Sequence, residues 1–284
     1  LHALTSNSDN INLTSTQWQT IINKAPFTIS NIAATASNGH PELLRALAPH
    51  LYQIDLCSNH IDILKKVPSA IWAGIIIDKP GLISTMARNL LIGQKQMFDI
   101  IGPHLNHLNA DNWHSILTND PSSIRYIASL AIKNNLHILQ VLEHHLAQIN
   151  LSAGDWKIII DADPWTISMI AQLSSQHPRL LQKLTSSPEN IAFSSGEWRN
   201  ILSKNLKTLL FLAEAATNNY PELLQSLEGS ISEDCLPNDQ FLSIVTRNPL
   251  TISRLIEACN NYNLDSLLQK TVSFASWMSA QNWK

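Results

Sequence analysis

The stretch Ser152–Ala171, SAGDWKIIIDADPWTISMIA, reads as a capped helix, a proline break and a second helix. The pattern recurs. Aligned on its tryptophan, the chain places Trp18, Trp72, Trp113, Trp156, Trp198, Phe241 and Trp283 at one position, here numbered 0. The first step is 54 residues; from Trp72 onward the steps are 41, 43, 42, 43 and 42. A fixed period near 42 is the mark of a stacked repeat array.

Each repeat follows one grammar. Position −4 holds Thr14, Pro68, Asn109, Ser152, Ser194, Pro237 and Ser279, which are helix N-cap residues or proline. Position −1 holds Gln17, Asn112, Asp155, Glu197, Gln240 and Asn282, with Ile71 as the exception; cap and −1 are spaced as in a capping box. Asp and Asn are expected to reach back less well than Glu. Position −5 is always apolar: Leu13, Val67, Leu108, Leu151, Phe193, Leu236 and Met278. With the cap at −4 this residue and the tryptophan form a hydrophobic staple, so the tryptophans are structural and not a ligand cage.

Positions +3 and +4, such as Ile159 and Ile160, complete one apolar helical face. Position +8 is Pro26, Pro80, Pro121, Pro164, Leu206 and Pro249, where the first helix ends and the second opens. The second helix is apolar at +11, +14, +15 and +18, and alanine fills +15 in five repeats, with Ile256 in the sixth, so another helix passes close there. A polar break (Asn38-Gly39, Asn134-Asn135, Asn218-Asn219, Asn260-Asn261) precedes a third helix with paired apolar residues such as Leu223 and Leu224. None of these short helices would bury its face alone, so neighbours must stack.

The expected fold is therefore all-α, an α-solenoid of about six three-helix repeats. Residues 1–12 are a polar lead-in. The array spans 13–278, with repeats at about 13–56, 67–107, 108–150, 151–192, 193–235 and 236–278. The extra residues 57–66 account for the long first step, and an insertion of this kind is expected on a loop of one face. Residues 279–284 read as the start of a truncated seventh repeat. With Leu1 in place of Met, the chain reads as a piece of a longer protein.

Composition narrows the function classes. The 284 residues are 44% hydrophobic and 14% charged with net charge −3, which offers nucleic acid no broad electrostatic attraction. No apolar run is long enough to span a membrane. Three scattered cysteines, Cys57, Cys235 and Cys259, suit a reducing, cytoplasmic compartment better than a disulfide scaffold.

Chemistry is sparse. Phosphate-loop, nucleophile-elbow and zinc-protease motifs are all missing. Cys57-x-x-His60 and His104-x-x-His107 have chelating spacing but no second ligand pair, so no metal or other cofactor is expected. A catalytic Cys57 lacks any sign of activation. His50, His104, His144 and His145 sit at third-helix ends, where imidazolium is favoured by the helix dipole. Asp155, Asp161 and Asp163 are absorbed by capping and turn duties.

One row rises above this background. Position +13, on the side of the second helix away from the apolar face, holds Asn31, Thr85, Tyr126, Met169, Phe211 and Arg254. Tyr126, Met169 and Phe211 in consecutive repeats would form an apolar interaction stripe. Alternatively, the second helix is the middle layer of its repeat, buried on both sides. Lys24, Lys157, Arg199, Lys204 and Arg247 on first helices are either the polar rim of such a site or a solvated face. The candidate partner-binding residues are thus Tyr126, Met169, Phe211, Arg254, Arg199 and Arg247.

Segments Ile32–Leu47 (IAATASNGHPELLRAL) and Leu212–Leu227 (LAEAATNNYPELLQSL) resemble the helix–turn–helix part of ankyrin repeats. The ankyrin TPLH box and hairpin are missing, and the period with its proline is more similar to HEAT and armadillo arrays. The Gly-poor, Asn- and Ile-rich composition resembles effector proteins of intracellular bacteria such as the legionellas. These resemblances imply a non-catalytic solenoid that binds a protein or peptide along one face, in the cytoplasm or, for an effector, in the host cytosol. The alternative is the interaction domain of a larger enzyme or effector whose catalytic part lies outside this chain.

Overall fold

The computed structural model describes residues 11–231 and 235–282, without the side chains of 275 and 277–282. Among the described residues the chain is all-α, with nineteen α-helices and no strand. It divides into two compact units, Leu1–Ile149 and Asn150–Lys284, a division that falls at a seam between two sequence repeats.

Six helices open the six repeats: α1 (Ser15–Lys24), α5 (Ser69–Asp78), α8 (Ala110–Asn119), α11 (Ala153–Ala162), α14 (Ser195–Lys204) and α17 (Asn238–Arg247). Each is 10 residues long. Four carry complete capping boxes: Thr14 with Gln17, Asn109 with Asn112, Ser152 with Asp155, and Ser194 with Glu197. The shorter Asn112 and Asp155 close the box as fully as Glu197 does, because each reaches its cap amide at 3.0 and 2.8 Å. The staple is directly visible in the fifth repeat, where the Phe193 and Trp198 rings meet edge-on at 5.3 Å. Trp72, Trp113, Trp156, Trp198 and Phe241 are wholly buried, and Trp18 nearly so.

The six helices also end alike. Ala25, Lys79, Asp120, Asp163, Asn205 and Asn248 all take extended conformations, with φ between −128° and −140°. Five precede proline, which disfavours helical geometry in the residue before it. Asn205 adopts the same shape before Leu206, and its side chain accepts from the Lys207 amide at 3.0 Å.

The second helices are α2 (Thr28–Ser37), α6 (Gly81–Leu91), α9 (Ser122–Ile132), α12 (Trp165–Leu173), α15 (Thr208–Thr217) and α18 (Leu250–Tyr262). They form a layer: α6 packs on α9 in the N-terminal unit, and α12, α15 and α18 pack in series in the C-terminal unit. The alanines at +15 (Ala33, Ala87, Ala128, Ala171, Ala213) are all buried, as small residues must be where helices approach closely. Four of these helices end at a left-handed residue 21 positions after the row tryptophan: Gly39, Gly93, Asn134 and Asn219. Around each, paired bonds of the Schellman type close the last turn, as in Tyr220 N–H to Ala215 O and Asn219 N–H to Ala216 O, both 2.9 Å. Asn263 plays the same part after α18. Only Gly and Asn, which tolerate positive φ, fill these five places.

The third helices are α3 (Glu42–Leu47), α7 (Gln96–Ile101), α10 (His137–His145), α13 (Arg179–Thr185), α16 (Glu222–Glu228) and α19 (Asp265–Asn282). Short 3₁₀ turns follow three of them, at Ala48–His50, Gly102–His107 and Pro188–Ile191. Residues 57–66, expected as a loop, instead contain a helix, α4 (Ser58–Lys65), which packs on α2 and α7. Its buried Leu64 explains the order, since that residue gives the insert an apolar anchor and its carbonyl accepts from Trp72 Nε1 at 3.2 Å.

Helix α19 runs unbroken through Ser279, so that residue, expected to cap a seventh repeat, lies inside a helix. Trp283 and residues 1–10 of the lead-in lie outside the described residues, as does the Met278 side chain.

Candidate functional site

The +13 row divides according to each helix's neighbours. Helix α15 lies between α12 and α18, so nearly all its faces are covered. Phe211 is accordingly 8% exposed, and in this repeat the second helix is a middle layer buried on both sides. Tyr126 and Met169 are half-buried, while Arg254 is exposed. Tyr126 carries the Arg125 guanidinium 5.1 Å from its ring centroid, within cation–π range.

Arg254 pairs with Glu257 at 2.9 Å, one turn along α18. Both line a groove of about 370 Å³ formed by the C-terminal turns of α12, α15 and the facing side of α18, with Glu214, Asn218 and Ser175. Its lining can donate and accept hydrogen bonds and carries both signs of charge, which suits a polar peptide surface better than an apolar anchor.

The first-helix cations are placed differently from one another. Arg199 and Arg247 are exposed. Lys157 bridges two repeats through a 2.7 Å ion pair with Glu197. That bond is the main reason the Glu197 carboxyl is lowered to about 2, with the Ser194 capping bonds adding to it against the opposing effect of burial. Lys157 is therefore committed to holding neighbouring first helices, α11 and α14, together.

Two further grooves of about 410 Å³ line the third-helix layer, one in each unit. Their linings share repeat positions: His137, Gln140 and Val141 in one match Glu222, Gln225 and Ser226 in the other. Sequence reasoning missed these grooves because the signal is the polar side of a helix whose apolar pair had already explained its pattern.

The histidines at third-helix ends differ from expectation. Burial pulls the pKa of His50, His104 and His145 down, and a neighbouring Lys79, His107 or His144 adds to it, which is opposite to the direction a helix end favours. Burial pushes the Cys259 thiol up to about 12. Cys57 is exposed at the start of α4. Among the described residues no group of three or more His, Cys, Asp or Glu side chains could hold a metal, and no helix is long and apolar enough to cross a membrane.

Comparison with protein-family models, with curated proteins and with solved structures finds no match. The chain is thus an all-helical protein compatible with a helical repeat, and its function is argued from its own geometry.

Proposed function

We propose that this chain is an α-solenoid of about six three-helix repeats that binds a partner protein or peptide and performs no catalysis itself. The observation that carries the reading is a contrast within each repeat. The extended end of the first helix recurs in all six repeats, the left-handed turn and the row tryptophan in five each, and the capping box in four. Position +13 instead runs through Asn31, Thr85, Tyr126, Met169, Phe211 and Arg254, and all of these but Phe211 reach the surface at least in part. A constant frame with a varying outer row is the arrangement in which each repeat contributes its own contact to an extended ligand.

Further support comes from the seams between first and third helices. Ser15 and His50, Ser69 and His104, and Ser195 and the Ser230 carbonyl are each 35 residues apart and each hydrogen-bonded. The same closure thus recurs in three repeats. In the C-terminal unit the partner-facing residues are Met169 and Arg254, with Arg199 and Arg247 as a charged rim, while Phe211 contributes to the frame; in the N-terminal unit the partner-facing residue is Tyr126. The compositional likeness to bacterial effectors makes host cytosol the first place to look.

The test is a crosslinking capture from host-type cytosol with three proteins: wild type, a Tyr126→Ser/Met169→Ser/Arg254→Ala variant, and an Arg199→Glu/Arg247→Glu variant, each with an unchanged helical circular dichroism spectrum. A partner captured by wild type and lost by the first variant supports the site. A partner retained by both variants moves the site elsewhere, and no partner in any arm removes the binding reading.

A further inference from the structure

Three histidines share one place in the repeat. His50, His104 and His145 each stand 32 residues after the tryptophan of their own repeat, and all three lie in the N-terminal unit. The same place in the C-terminal unit holds Pro188, Ser230 and Ser273.

Two of the histidines close the end of the third-helix segment onto the first turn of the first helix. Ser15 Oγ lies 3.0 Å from His50 Nδ1, and Ser69 Oγ lies 2.9 Å from His104 Nδ1. In the C-terminal unit the equivalent closure uses no titratable group: Ser195 Oγ donates to the Ser230 carbonyl at 2.8 Å. His104 is the most enclosed of the three. It is 5% exposed, and its ring stacks on the fully buried Trp72 at 6.0 Å between centroids and 22° between planes. Its Nε2 is buried and meets no protein hydrogen-bond partner. A second proton would place a charge and an extra donor where no acceptor faces them.

The elements around His104 carry Asp78, Asp99, His137, Glu143, His144 and His145, with His107 on its own turn. Asp78 is held by Arg45 at 2.8 Å, and of the whole set only His107 acts on His104. The helix packed on the His50 turn carries Glu42 and Arg45, and Lys79 acts on His50. Around His145 stand Asp111, His114, Arg125, Glu143, His104, His107 and His144, of which His144 acts on it. All three of the acting groups oppose protonation.

We propose that this histidine row is an acid-sensitive latch, whose protonation on acidification frees the third-helix ends of the first two repeats, where His50 and His104 close onto Ser15 and Ser69, and loosens the N-terminal unit while the C-terminal unit stays closed. The sign follows from the closed form being the neutral one. Burial lowers all three pKa values in the fold, so the closure is complete above the free imidazole value and is lost as pH falls beneath it.

The test uses the full chain. Histidine ring signals are titrated by NMR, and backbone hydrogen exchange is compared at pH 7.5 and pH 5.5 after correction for intrinsic rates. The expected result is ring midpoints below the free value, with exchange of residues 48–50 and 102–107 rising about threefold or more while 188–191 and 226–230 change less. In a His50→Gln/His104→Gln/His145→Gln variant that rise disappears. Should the triple variant lose its helical signal, His104→Gln alone, read at 102–107, carries the test. A ring midpoint for His104 at or above the free value, equal loosening of both units, or a rise that survives in a folded glutamine variant overturns the proposal.

Discussion

At the scale of single residues, the row tryptophans combine a large apolar surface with an uneven polar demand. Trp72 Nε1 donates to the Leu64 carbonyl, whereas the buried Nε1 atoms of Trp18, Trp113, Trp156 and Trp198 meet no protein acceptor. The sixth repeat uses Phe241 at the same place, fully buried. Replacing an unpartnered indole by phenyl should therefore cost less than replacing the partnered one. We expect Trp156→Ala to destabilise by about 3–5 kcal/mol. Trp156→Phe should cost only a fraction of that, and Trp72→Phe should cost about 1 kcal/mol more than Trp156→Phe, because it removes the indole bond to the Leu64 carbonyl, which keeps its backbone bond from the Val67 amide. Urea denaturation of the three variants checks the order; equal costs for the two phenylalanine variants would contradict the role given to the Leu64 bond. The tryptophan row was legible in the sequence because aromatic, cap and staple recur together. The Leu64 contact was not, since it comes from residues that interrupt the period.

At the scale of elements, helix ends carry more of the specification than helix interiors. The capping boxes, the proline after the first helix and most breaks after the second helix were marked by residue type in the sequence; the sixth break was not, since Asn260-Asn261 lies inside α18 and the left-handed residue is Asn263. The fourth repeat shows what happens without a left-handed residue. Its second helix ends at Leu173 with Ser174 still in helical geometry, and no residue of positive φ follows before α13. At Asn219, φ is 71°. Asn219→Gly should be neutral or slightly stabilising, and Asn219→Val should cost about 1–2 kcal/mol, because a β-branched side chain crowds the following carbonyl in this conformation. Thermal unfolding of the two variants measures the difference; a valine variant as stable as wild type would show that the turn relaxes out of the left-handed region. The burial of the +13 row could not be read from the sequence. Phe211, Met169 and Tyr126 occupy one position of the pattern, but their exposure depends on how many second helices flank each one, which is a property of the stack.

At the scale of the whole molecule, each of the two units has its own core, built from first-helix tryptophans, second-helix alanines and third-helix leucines. In a repeat array stability is a sum of repeat and neighbour contributions, so a set of three consecutive repeats is a reasonable minimum for independent folding. We expect residues 150–284 expressed alone to retain helical circular dichroism and a cooperative melt. A fragment without a cooperative transition would show that its core needs the other unit. The all-α class could be read from residue spacing alone; the division at Ile149 could not, because the sequence repeats on either side of it follow the same grammar.

The tryptophan row also makes the chain its own set of reporters. One indole stands in each of the first five repeats, and Phe241 shows that a phenyl ring fits the same socket. Apart from these, Trp165 stands at another position of the repeat, and the Trp277 side chain and Trp283 lie outside the described residues. Phenylalanine at all indole positions but one would leave a single fluorophore per protein, placed in a chosen repeat. Its emission would shift toward longer wavelength when that repeat opens. A family of five such proteins would resolve the melting of the chain in space, and would distinguish a domino-like propagation from a single concerted collapse.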